Sequence, residues 1–124
     1  MLKQILLVGL GGGAGSIFRY LTSLLVLKKY SFSFPLATFI VNILGCFLIG
    51  LFVGFSVKNN MLNENLKLLL ITGFCGGYTT FSTFSIENLK LIETGNYLIL
   101  ILYIISSILV GISAVWLGDF LIKS

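Results

Sequence analysis

The sequence predicts an all-α membrane protein, a single transmembrane domain over residues 1–124 built from four helices with the third broken near its middle. Three observations predict it. Hydrophobic residues make up 57% of the chain and charged ones 10%, with a mean hydropathy of +1.09, which leaves too little polar surface for a soluble domain of this size. The stretches Tyr30 to Val57, Leu68 to Ile86 and Thr94 to Gly118 carry no charge, and Gln4 to Leu27 carries only Arg19. The third observation is the run Gly73-Phe74-Cys75-Gly76-Gly77-Tyr78-Thr79-Thr80-Phe81-Ser82-Thr83-Phe84-Ser85, whose glycines and paired threonines disfavour a continuous helix. Unsatisfied backbone is prohibitively costly in hydrocarbon, so an irregular segment there is expected to line a cavity or bind an ion.

The first helix is expected at about Ile5 to Leu27, and its apolar segment runs on as a span with no cleavable small-residue site after a charged start. Ser33-Phe34-Pro35 offers a capping hydroxyl and a first-turn proline for a second helix at Pro35 to Val57. Asn59-Asn60 and Gly95-Asn96 mark turns on either side of a third helix at Leu66 to Ile92, and the fourth follows at Tyr97 to Ile122. Each is near the roughly 20 residues that a crossing requires. Four spans place Lys3, Lys58, Lys67 and Lys123 on one side, against Lys28, Lys29, Lys90 and the nearby Arg19 on the other. The positive-inside rule then gives almost no orientation preference, so either a partner or a weak bias fixes the topology, or the chain inserts both ways, which makes an antiparallel homodimer possible.

Enzyme classes find little support. There is no histidine, and Glu64, Glu87, Glu93 and Asp119 are the only acids, which leaves no metal cluster and no His-based catalytic constellation. Cys46 and Cys75 both fall inside expected spans and read as small buried apolar residues rather than a disulfide. Gly9-Leu10-Gly11-Gly12-Gly13-Ala14 formally matches a dinucleotide fingerprint, but Phe34 stands where the acid about 20 residues on is required. Close helix packing is the better reading, since Gly11 and Gly15, and Gly50 and Gly54, form GxxxG pairs.

Polar residues within the spans are the functional candidates. Arg19 either snorkels to the headgroups or raises anion concentration in an aqueous vestibule. Asn42 and Thr38 share one face of the second helix, and Tyr103, Ser106 and Ser107 form a polar stripe on the fourth; either set is interhelical glue or a hydrogen-bonded track. Phe81 and Phe84 share a helix face that Glu87 continues, with Ser82, Thr83 and Ser85 supplying hydroxyls nearby. Ring edges carry positive quadrupole and meet an anion without holding it tightly.

With these residues in place the chain resembles the Fluc (CrcB) family of fluoride ion channels over essentially its whole length. Three segments carry the resemblance: Gly11 to Tyr20 (GGGAGSIFRY), Thr38 to Phe47 (TFIVNILGCF), and Gly73 to Ser85. It implies an antiparallel dual-topology homodimer in a bacterial-type plasma membrane, with two pores that pass fluoride and exclude chloride. By the resemblance Asn42 is the pore asparagine, Phe81 and Phe84 form the phenylalanine box, and Arg19 faces the vestibule. Thr38, Ser82, Thr83 and Tyr103 lie along the polar track, and Glu87 sits near one pore end. Backbone carbonyls of Gly76 and Thr79 hold a structural sodium ion shared between subunits. The implied partners are fluoride, membrane lipid and the second subunit, with no nucleic acid and no organic cofactor. A small dual-topology multidrug exporter is the runner-up, but it needs a carboxylate in its first helix, and none is present. A non-transporting scaffold would account for the GxxxG faces but not for the polar stripes.

Overall fold

The computed structural model describes residues 1–124 apart from Phe32, Asn59 and Met61. Its elements are all helical: α1 (Leu2–Lys29), α2 (Leu36–Lys58), α3 (Glu64–Lys67), a π-helical stretch (Leu68–Cys75), α4 (Gly76–Tyr78), α5 (Phe81–Glu93) and α6 (Tyr97–Lys123). Among the described residues α1, α2 and α6 are long and apolar enough to cross a membrane. At 1.5 Å per residue even α2 spans roughly 34 Å, beyond the roughly 30 Å hydrocarbon core. α1 and α6 outrun that core further and carry Lys28, Lys29 and Lys123 to its edges.

Glycine decides how these helices pack. α1 lies on the helical run 64–78 along a seam of bare backbone. A side chain at Gly11 would strike the Leu69 carbonyl, one at Gly15 the Phe74 carbonyl, and one at Gly77 the backbone of Gly12. α2 and α6 form the second seam, where Gly50 meets Val115 and Gly118 meets Phe47 and Leu51. Within lipid there is little hydrophobic gain in bringing helices together, so contact of this closeness supplies the dispersion that holds them. The expected Gly11/Gly15 and Gly50/Gly54 packing faces are therefore present. Gly118→Ala is expected to cost about 1 to 3 kcal/mol, because its Cβ would meet only backbone, which cannot move aside. Thermal unfolding in detergent would read this as a lowered midpoint, and an unchanged midpoint would count against the seam.

Termini follow local chemistry. Pro35 stands just ahead of α2, its carbonyl accepting from Phe39 N–H at 3.1 Å, one position earlier than expected for a first-turn proline. The turn expected at Asn59-Asn60 is described only at Asn60, which adopts φ 49, a left-handed conformation that asparagine tolerates; Asn59 lies outside the described residues. Asn63 caps α3 by accepting from Leu66 N–H at 2.8 Å. α5 ends where Gly95, at φ 76, donates to Ile92 O and Asn96 donates to Leu91 O, the paired bonds of a Schellman cap.

One expectation is corrected. Irregular backbone was expected across Gly73 to Thr80, but the chain is helical through Tyr78 and only Thr79 (ψ 161) and Thr80 (ψ 123) are extended. Gly73 and Gly77 do not interrupt the helix. They continue the α1 seam, where their missing side chains let Val8, Gly11 and Gly12 approach.

Candidate functional site

The extended pair Thr79-Thr80 leaves backbone groups that helical bonding cannot satisfy, and neighbouring side chains take them up. Asn42, on α2, makes both bonds to one residue: its Nδ2 donates to Thr80 O at 3.1 Å and its Oδ1 accepts from Thr80 N–H at 2.8 Å. Arg19, on α1, donates from Nε to Gly77 O at 3.2 Å, where the cation also meets the negative end of the 64–78 run. The Thr80 hydroxyl caps α5 by accepting from Thr83 N–H at 3.3 Å, and Thr79 Oγ1 turns back to Cys75 O at 2.9 Å. Among the described residues no hydrogen bond reaches the Gly76 or Thr79 carbonyl.

Two cavities flank this interruption. The first, about 580 Å³, has Asn42, Gly76, Thr79, Thr80, Phe81 and Phe84 in its wall, together with Ser107 and both cysteines. The Phe81 and Phe84 rings lie 5.9 Å apart, and Phe81 is 79% exposed on its open side. The second, about 360 Å³, is bounded by Thr38, Thr83 and Glu87 beside the α1–α2 connection. Tyr103 joins the walls of the two. Its fully buried ring packs against Phe84 with centroids 4.9 Å apart, while its hydroxyl donates to Glu87 Oε1 at 2.8 Å. Thr38 donates to the other oxygen of the same carboxylate at 2.8 Å.

The sequence candidates thus separate into groups. Asn42, Phe81 and Phe84 converge with the Gly76 and Thr79 backbone on the first cavity; Thr38, Glu87 and Tyr103 form a hydrogen-bonded cluster at the second, which Thr83 also lines while bonding only to Thr80. Ser82 is exposed and reaches only the Thr80 hydroxyl, at 3.4 Å, and Arg19 lines neither cavity. Sequence reasoning missed Thr80, whose backbone organises the site. Its signal was the threonine pair directly before Phe81, a hydroxyl at the N-cap position of the helix that follows.

Comparison with known proteins shows the family. Residues 6–119 match the family model described as CrcB-like protein, Camphor Resistance (CrcB). The chain belongs to the CrcB family. A relative from Azobacteroides pseudotrichonymphae, called fluoride-specific ion channel FluC, is 57% identical over 95% of this chain and 94% of its own length. Relatives of the same name from Flavobacterium psychrophilum and Phocaeicola vulgatus are 50% and 46% identical, covering 98% and 94% of this chain and 98% and 96% of their own lengths.

Proposed function

We propose that this CrcB-family chain is a fluoride-selective channel of a bacterial-type plasma membrane, a transport protein rather than an enzyme, that lets fluoride leave the cell passively and so limits its toxicity. Full-length identity of 46 to 57% with proteins named for that activity carries the reading. The site geometry supports it. α5 begins at the first cavity, and the positive end of a helix there favours an anion. One Asn42 Nδ2 hydrogen is committed to Thr80 O, which leaves the second for an ion. The edges of Phe81 and Phe84 add weak positive potential beside it. The Ser82 and Thr83 hydroxyls provide further stops, those of Thr38 and Tyr103 lie along the same track with their protons held by Glu87, and Arg19 raises local anion concentration at the approach. Contacts of this kind are individually weak, which conduction requires, and a narrow path among them admits a very small anion while rejecting chloride. Each unit charge moved through 100 mV releases about 2.3 kcal/mol, so a negative interior sustains roughly a fiftyfold outward ratio without coupled protons or nucleotide.

The run 64–93 serves as a further crossing in this reading, making four helices with the third interrupted at Thr79-Thr80. The functional unit is an antiparallel dual-topology homodimer. Supporting this, Phe81 projects from the chain beside a cavity open on the same side, and lysine and arginine are balanced between the two ends. The Gly76 and Thr79 carbonyls suit a sodium ion held with their counterparts in the second copy. They are oxygen ligands at the negative end of the 64–78 run and accept no hydrogen bond among the described residues. Sodium, when bound, would supply positive charge that satisfies these carbonyls.

Proteoliposomes holding the purified protein are expected to release fluoride through a potassium-driven potential while retaining chloride. Equal release of the two ions would sink the proposal.

A further inference from the structure

Tyr103, the side chain that joins the two cavities, owes its place to other rings. Its hydroxyl bond to Glu87 fixes only the tip, while the fully buried ring meets Phe84 and, at 5.2 Å and an interplanar angle of 76°, Phe34 of the α1–α2 connection. Phe34 is itself held. It packs edge-on against Phe39 of α2 at 5.5 Å and 74°, Pro35 restricts its backbone, and its carbonyl accepts from Leu36 N–H at 2.7 Å. Rings thus run in contact from Phe39 through Phe34, Tyr103 and Phe84 to Phe81, linking a loop to the wall of the first cavity. Phe34 also lines the second cavity beside Thr38 and Glu87.

We infer that Phe34 is a positioning residue for ion selection: it holds the Tyr103 ring against Phe84 and so keeps the passage beside them too narrow for chloride. The inference rests on the fluoride-channel reading. Phe34 acts through Tyr103 rather than on the ion. Without its ring the second cavity would extend to Tyr103, leaving a void that a neighbouring side chain or water fills. Tyr103 then gains room to move off Phe84, and Phe84 gains room in the wall of the first cavity. Selection by a narrow path depends on side chains that stay in place, and a wider, wetter passage admits a larger ion.

Fluoride and chloride release from proteoliposomes, each corrected for empty liposomes, test it, because the ratio of the two does not depend on how much protein folds. Phe34→Ala is expected to lower the fluoride-to-chloride ratio about tenfold, as for loss of one aromatic contact. Phe34→Tyr, which keeps the ring, should retain the ratio, and Phe34→Leu takes the place of the alanine variant if that one does not elute natively. Adding Phe34→Ala to Tyr103→Leu should lower the ratio no further than Tyr103→Leu alone, because the first residue acts through the second. A thermal midpoint lowered by Phe34→Ala with the ratio unchanged makes the ring a packing residue and overturns the inference. So do multiplying effects in the double variant. Equal release of the two ions by the unsubstituted protein is a different result, since it removes the fluoride reading and this inference with it.

Discussion

Replacing Phe81 and Phe84 together with leucine is expected to lower fluoride efflux about ten- to hundredfold while leaving the protein folded. The edge electrostatics that favour aromatic pairs are worth about 0.5 to 1.5 kcal/mol per pair, an anion at a ring edge draws on the same positive rim, and two such rings face one cavity. Leucine keeps an apolar side chain of moderate volume but presents no positive ring edge, so the substitution removes electrostatics more than packing. The two positions differ in what else they hold. Phe81 is largely exposed in the single chain, whereas Phe84 packs on Tyr103, so Phe84→Leu alone should lower thermal stability more than Phe81→Leu. A fluoride electrode following efflux from proteoliposomes reads the flux, with size-exclusion elution as the control for folding. Unchanged efflux from the double variant would separate the rings from conduction and leave them as packing residues.

Much of the fold was legible in the sequence because the lipid environment imposes simple demands. The charge-free stretches located α1, α2 and α6 to within three residues at either end, since few residue types suit hydrocarbon. The glycine pairs on α1 and α2 were readable as contact faces for the same reason. Glycine in the run Gly73 to Thr80 was harder. The rule that glycine weakens a helix competes there with the rule that glycine lets helices touch, and Gly73 and Gly77 obey the second. Only knowledge of the opposing surface, Gly11 and Gly12 of α1, decides between them. The interruption itself falls on two threonines, where side-chain hydroxyls cap one helix and back-bond to another.

The polar residues show a different limit. Spacing put Thr38 and Asn42 on one face of α2, but not that the first would engage the Glu87 carboxylate and the second the Thr80 backbone. Both partners lie on a segment far along the chain. Likewise Tyr103 was one member of a polar stripe on α6, while its position between two cavities depends on how α5 packs against α6. Residue type and periodicity identify which side chains are costly to bury; the tertiary arrangement decides what compensates them.

Asn42→Ala is expected to be among the most damaging single substitutions in the chain. It removes both partners of Thr80, leaving a backbone N–H and a carbonyl unpaired where helical bonding is absent. Each such group costs about 1 to 3 kcal/mol, so the loss is roughly 2 to 6 kcal/mol. Fluoride flux per folded protein should fall at least tenfold, because the remaining amide donor leaves with the side chain. Asn42→Asp separates the two roles. Its carboxylate still accepts from Thr80 N–H, but it faces the Thr80 carbonyl without a donor and repels an approaching anion. Flux through the aspartate variant should therefore fall below that of the alanine variant when both are normalised to natively eluting protein. If Asn42 only ties off the interruption, both variants will lose stability yet conduct at the unsubstituted rate per folded molecule. Thermal melting and efflux measured on the same preparations distinguish these outcomes, since the structural role moves the first measurement and the conduction role moves the second.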